Sequence, residues 1–178
     1  MPQGLKMIKS FSERSDHRIP VSLLDLGAPM NGALDILGGD LLFSAIYDHP
    51  EAVHFLLELL TDTVILFTEE SIKAARGIDN ITATDFPEWW QPEGRKGHVS
   101  DDVCSSFSPE FFEKFSIPVN SRVFRRFGAS MMHNCGPHPA ASKYLDQGGG
   151  IVAADIAYRY SKKDLAAIKR AFSGRGMI

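Results

Sequence analysis

Short apolar runs, each stopped by glycine, proline or an acid, alternate along this chain with segments of helical period, and that alternation restricts the architectures open to it. Val21 to Leu26 runs into Gly27 and Pro29; Ile81 to Thr84 is β-leaning; His98 to Val103 follows. Ala129 to His133 leads into Asn134-Cys135-Gly136-Pro137, and Ile151 to Ile156 carries Asp155 near its end. Runs with apolar residues at consecutive positions suit parallel strands covered on both faces better than half-exposed ones.

Between these runs the period changes. From Pro50, with Asp48 or His49 as cap, Val53, Leu56, Leu57, Leu60, Val64 and Phe67 recur every three or four residues, which predicts a long amphipathic helix ending near Gly77. Ser108 is a predicted N-cap, with Pro109 in the first helical position and Phe107 placed to pack on Phe112. Pro118 is expected to interrupt that helix, and Val119, Val123 and Phe127 continue its apolar face to Gly128. A weak helix is expected around Ala140 to Leu145, and a last one opened by Ser161 and Asp164, apolar at Leu165, Ile168 and Phe172. The order predicts an α/β fold, a partial (β/α)8 TIM barrel of about four to five βα units where a whole barrel has eight. Residues 1–19 read as an N-terminal segment and 20–178 as one partial barrel domain, expected to be truncated at both ends.

Bulk properties narrow the function. With 44% hydrophobic and 23% charged residues the chain can build one ordinary core and lacks a disordered composition. A net charge of -3 offers no basic field for a phosphate backbone, so no nucleic-acid partner is expected. Lys6, Lys9, Glu13, Arg14, Asp16 and Arg18 around Phe11 leave no apolar leader, and no run is long enough to cross a membrane. The chain therefore reads as cytoplasmic, and in a reducing compartment Cys104 and Cys135 are expected to be buried, catalytic or metal-bound, not a disulfide.

In a parallel barrel the loops after the carboxyl ends of the strands build the active site. The residues just past each run are Asp25, Pro29, Asp85, Asp101, Asp102, His133, Cys135 and Asp155. His133 and Cys135, two apart on an extended segment, point to the same side, and imidazole with thiolate is a soft zinc pair; the alternative is a buried thiol beside a hydrogen-bonded histidine. Asp101 and Asp102 are candidate catalytic acids, one serving as general base; otherwise one points inward while the other is solvated or caps the Ser108 helix. Pro29, Asp85 and Asp155 are candidate substrate contacts, and Trp89, beside Trp90, can stack on a flat ligand or cover the barrel rim. Gly148 to Gly150 is not a phosphate fingerprint, because it precedes a strand, and Arg122, Arg125 and Arg126 read as a solvated helical face.

The order of several short motifs resembles the uroporphyrinogen decarboxylase superfamily, which includes corrinoid-linked methyltransferases. The motifs are Gly27-Ala28-Pro29, Asp48-His49-Pro50-Glu51, Ser100-Asp101-Asp102, Ser108-Pro109-Glu110-Phe111-Phe112 with Pro118, and His133-Asn134-Cys135-Gly136. The resemblance implies a (β/α)8 barrel of which this chain is the middle portion. In the methyltransferase branch it implies zinc held by His133, Cys135 and a third ligand expected beyond Ile178, with methyl transfer from a corrinoid protein to a zinc-activated thiol. The implied partners are that corrinoid protein or the missing barrel half, and a small-molecule substrate. In the decarboxylase branch no metal is used and Asp35 and Asp102 line a tetrapyrrole pocket, but the tyrosine expected after the Gly-Ala-Pro turn is absent, which favours the methyltransferase-like branch. The isolated chain is expected to be inactive, and a non-catalytic half-barrel that serves in assembly is the contrasting reading.

Overall fold

The computed structural model describes residues 3–85, 90–137, 143, 151–174 and 176. Helices α1 (Gln3–Arg14), α2 (Pro29–Leu37), α3 (Gly39–Asp48) and α4 (Pro50–Ala74) come first. Strand β1 (Gly97–Ser100) follows, then a one-turn helix α5 (Pro109–Phe111), a π-helical turn (Phe112–Ser116), α6 (Ile117–Phe127) and β2 (Ala129–Asn134). Strand β3 (Ala153–Ile156) and the short helices α7 (Tyr158–Ser161) and α8 (Leu165–Phe172) come last, and 3-10 turns lie at Ile78–Asn80 and Val103–Ser106. The three strands form one parallel sheet in the order β1-β2-β3. The α/β class is as expected.

Two expected strands are absent as strands among the described residues. Val21 and Ile81 form an isolated parallel bridge, with the Val21 N–H on the Asn80 carbonyl and the Thr82 N–H on the Val21 carbonyl. Beyond Val21 the run is not covered on both faces: Leu23 is buried while Ser22, Leu24 and Asp25 are exposed. The 81–85 segment leans on β1 through side-chain bonds: Thr84 Oγ1 donates to the His98 carbonyl and accepts the His98 N–H. A hydroxyl that takes both positions substitutes for a regular ladder.

Parallel register explains the layers. His98 pairs with Met131, Val99 with Met132 and Ser100 with His133, and across the other edge Met132 pairs with Ala154 and His133 with Asp155. Because paired residues share a face and neighbours alternate, Val99, Met132 and Ala154 face the helices while His98, Ser100, His133 and Asp155 share the opposite face. The helix-side core packs Leu42, Leu57, Phe112, Phe115 and Phe124, all fully buried, against that first set; each such ring or branched side chain contributes about 1.5–3 kcal/mol. A smaller cluster of Leu5, Ile8, Val21, Leu23, Ala75 and Ile81 pins α1 to the end of α4.

Helices α1 to α3 had no counterpart in the sequence reading, although Leu5 and Ile8, and Met30 and Ala33 after Pro29, carry the helical spacing. Helix α4 matches its prediction, with His49 as cap position and no side-chain cap bond. Ser108 caps as expected, accepting the Phe111 N–H at 3.3 Å; the Phe107 ring lies 6.4 Å from that of Phe111, and Phe107 shares the buried core with Phe112, its expected packing partner. Pro118 does not break the helix. The chain stays helical from Pro109 to Phe127 because a π turn absorbs the register change just before the proline, which then sits in the first turn of α6, where its missing N–H costs little. The expected 98–103 strand ends at Ser100, and Val103–Ser106 is a 3-10 turn. The last helix starts at Leu165 with Asp164 as its cap position, and Ser161 closes a separate turn. No described helix is long and apolar enough to cross a membrane. Trp89, most of the 140–145 segment and Gly148 to Gly150 lie outside the described residues.

Candidate functional site

The carboxyl ends of the three strands bring the sequence candidates together unequally. His133 is the last inward-facing residue of β2, and its register partner Asp155 sets a carboxylate oxygen 2.6 Å from Nδ1. A carboxylate can only accept, so Nδ1 carries the proton when the ring is neutral and Nε2 keeps its lone pair. Nε2 lies 3.4 Å from Cys135 Sγ and 3.9 Å from Asp102 Oδ1. One donor atom from each of Asp102, His133 and Cys135 falls within 4.8 Å of the others. Their burial is graded, with His133 nearly enclosed, Asp102 half-exposed and Cys135 open to solvent.

Asp101 and Asp102 divide as the sequence allowed, one buried and one partly exposed. Asp101 is fully buried: its carboxylate accepts from the Asn120 side chain at 2.7 Å and from the Cys104 N–H at 3.2 Å. Burial pushes its pKa up to about 6 against the pull of those donors. Asp102 instead accepts the Cys135 N–H at 2.8 Å, which ties the turn after β1 to the turn after β2. Asn134, on the helix side of β2, donates to the Asp101 carbonyl at 2.6 Å and to Cys104 Sγ at 3.1 Å. Cys104 is thus a buried structural thiol, its pKa raised by burial first and then by Asp101 and Asp102.

Gly136 makes the turn possible. Its φ is +85°, and a Cβ there would lie 2.5 Å from Ser161 Oγ and 3.2 Å from Tyr160 Cβ, so the loop after β2 passes directly against α7.

Burial works to lower the pKa of His133, but the hydrogen bond and charge of Asp155, aided by Asp102 and Asp25, outweigh it and the net shift is upward. Asp85, also on the sequence list, lies deeper. Its carboxylate accepts the Leu26 N–H at 3.1 Å and the Ser100 N–H at 2.8 Å, joining the 21–27 segment to β1. Burial, and then hydrogen bonding to Asp25, raise its pKa to about 7. Pro29 and Asp85 line one small cavity with Leu26, Gly27, Thr84 and His98. His98 was not singled out from the sequence; it is buried, with Nδ1 3.1 Å from the Asp85 carbonyl, and burial followed by the charge of His133 lowers its pKa to about 4. No signal short of its place on the inward face of β1 marks it. Asp35 is exposed on α2, and no described bond joins it to the cluster. Arg122 and Arg126 are not simply solvated: Arg122 pairs with Glu58 and Asp62, and Arg126 with Glu69, linking α6 to α4.

No family model and no curated protein matches the chain by sequence. A solved methyltransferase from Methanosarcina mazei is similar in fold, with a TM-score of 0.67 and 15% identity, over 97% of this chain and 46% of that one. The chain spans about half the length of the structure it resembles.

Proposed function

We propose that the chain is a methyltransferase-like portion of a uroporphyrinogen decarboxylase superfamily protein, built to present a zinc-activated thiol to the methyl group of a corrinoid protein. The observation that carries this reading is the convergence of His133 Nε2 and Cys135 Sγ, 3.4 Å apart at the carboxyl end of β2, with His133 held from behind by Asp155. One nitrogen and one sulfur donor match the chemistry of zinc.

Zinc, when bound, lowers the pKa of a coordinated thiol and so prepares it as a nucleophile. The residues of the chain do the rest. Asp155 fixes the ring of His133, the Asp102 carboxylate holds the Cys135 backbone, and Gly136 lets the loop lie against α7. Exposed Cys135 and half-exposed Asp102 leave the outer side of the cluster open to a thiol and to a docking protein. The substrate thiol would lose its proton to water at this open side on binding, and its sulfur would then form the new bond to carbon with its own electron pair while the pair of the broken carbon–cobalt bond would stay with the corrinoid.

Proton release tests the reading without requiring turnover. Adding a small thiol such as 2-mercaptoethanol to the zinc-loaded full chain, in weak buffer with a pH indicator, is expected to release about one proton per chain. Cys135→Ser is expected to abolish it. Zinc loading with no thiol-dependent proton release would overturn the proposal.

A second reading, an assembly half-barrel, is favoured by one observation: β3 lies at the edge of the described sheet. Light scattering on the purified chain decides it, since a well-behaved monomer counts against a surface that needs a partner.

A further inference from the structure

Three donors on two adjacent strand ends approach one point, and a fourth group stands behind them. For zinc bonds of about 2.0 Å to nitrogen and oxygen and 2.3 Å to sulfur, tetrahedral angles place pairs of ligand atoms roughly 3.3–3.6 Å apart. His133 Nε2 lies 3.4 Å from Cys135 Sγ and 3.9 Å from Asp102 Oδ1, so the first pair is already at ligand spacing and the second is slightly wide. Asp102 is also kept in place by the Cys135 N–H, which occupies one lone pair of Oδ1 and leaves another, together with Oδ2, for a cation. Behind the ring, Asp155 is the register partner of His133 and accepts from Nδ1. A carboxylate in that place fixes which nitrogen faces the ion and increases its basicity.

We propose that Asp102 is the third protein ligand of the zinc centre, and that Asp155 is the positioning residue that holds the His133 Nε2 lone pair toward the metal. The proposal rests on the zinc reading above and adds one part to it: a third donor from the turn after β1. Three protein donors of the O, N, S kind leave a fourth position for a substrate thiol, the pattern of a catalytic rather than a structural zinc site. Asp102 then acts on the metal instead of serving as the general base expected from sequence.

Cobalt(II) alone, titrated into the metal-free full chain, gives a readout independent of activity. The wild type is expected to bind one equivalent with a near-ultraviolet sulfur-to-cobalt charge-transfer band and the strong visible bands of a four-coordinate ion. Cys135→Ser should lose the charge-transfer band. Asp102→Ala and the shape-conserving Asp102→Asn should keep that band at saturation, change the visible bands and weaken binding at least as much as loss of an outer partner does. Asp155→Ala should weaken binding about 10- to 100-fold and leave the saturated spectrum unchanged, because the ligands are the same. Circular dichroism of each metal-free variant checks folding, and Asp102→Asn keeps an acceptor for the Cys135 N–H. If both Asp102 variants bind cobalt with wild-type affinity and spectrum, the ligand assignment is overturned; if Asp155→Ala does so, the positioning role is. A chain that gives all the expected spectra but releases no proton to a thiol contradicts only the methyl-transfer reading.

Discussion

The side-chain amide of Asn134 reaches the main-chain carbonyl of Asp101 at 2.6 Å, and this bond crosses from the end of β2 to the turn after β1. The same amide donates to Cys104 Sγ, and Asn134 Oδ1 accepts the Gly136 N–H. One fully buried side chain therefore joins the turn that carries Asp102, the 3-10 turn behind it and the loop that carries Cys135. Asp102 and Cys135 sit on turns outside the ladder, and Asn134 ties those turns to one another.

Asn134→Ala is accordingly expected to leave a buried carbonyl without its donor and to cost about 1–3 kcal/mol. Urea unfolding measures this as a lower midpoint at unchanged slope. Metal affinity should fall along with stability, since Asp102 and Cys135 lose their common anchor. An unchanged midpoint would remove Asn134 from this role.

The pH dependence of stability should carry the mark of Asp85. Its folded pKa of about 7 lies above the ordinary carboxylate value of 3.8, so between these limits the folded state holds the proton more tightly than the unfolded chain. Its contribution is fully present below the unfolded pKa and is lost as pH rises through about 7. His98 acts in the opposite sense: with a folded pKa near 4 against 6.5, its contribution is present above 6.5 and lost as pH falls through about 4. The two slopes oppose one another, so the total curve hides both. The difference between wild type and Asp85→Asn, taken from urea midpoints at several pH values, isolates the first; it should favour the wild type most at low pH and decline toward pH 7 and above. A flat difference would contradict the assignment.

Gly128→Ala tests the junction that feeds β2. Gly128 has a φ of +78°, and a Cβ there would lie 2.1 Å from the Gly94 carbonyl oxygen, a backbone atom with no rotamer by which to move aside. Left-handed backbone at a non-glycine residue alone costs about 1–3 kcal/mol, and the clash adds to it. Thermal unfolding should show a loss of several degrees or failure to fold, whereas Ser108→Ala, which removes only a cap, should cost about 1 kcal/mol.

Much of the helical architecture was legible because its signals are local. Pro50 with the recurring apolar face, Ser108 ahead of Pro109, and the glycine at 128 each announce an element within a few residues. Pro118 shows the limit of such reasoning: a proline signals a problem for the helix, but whether the chain breaks or shifts to a π turn depends on the rings of Phe112 and Phe115, both fully buried by distant neighbours. The runs at 21–26 and 81–84 show the same limit for strands, since Thr84 and His98 replaced a ladder that composition had suggested.

The sequence by itself determined the chemistry on offer: an α/β chain with His133 and Cys135 two residues apart at a strand end, and acids after most of the other runs. Which acid meets which histidine was decided only by tertiary structure. Asp155 belongs to His133 because β2 and β3 pair in parallel with those two residues in register, and Asp102 reaches Cys135 because β1 lies on the other side of β2. Register between strands distant in sequence is set by the packing of Val99, Met132 and Ala154 on the helix layer, a property of the whole core that no single segment contains.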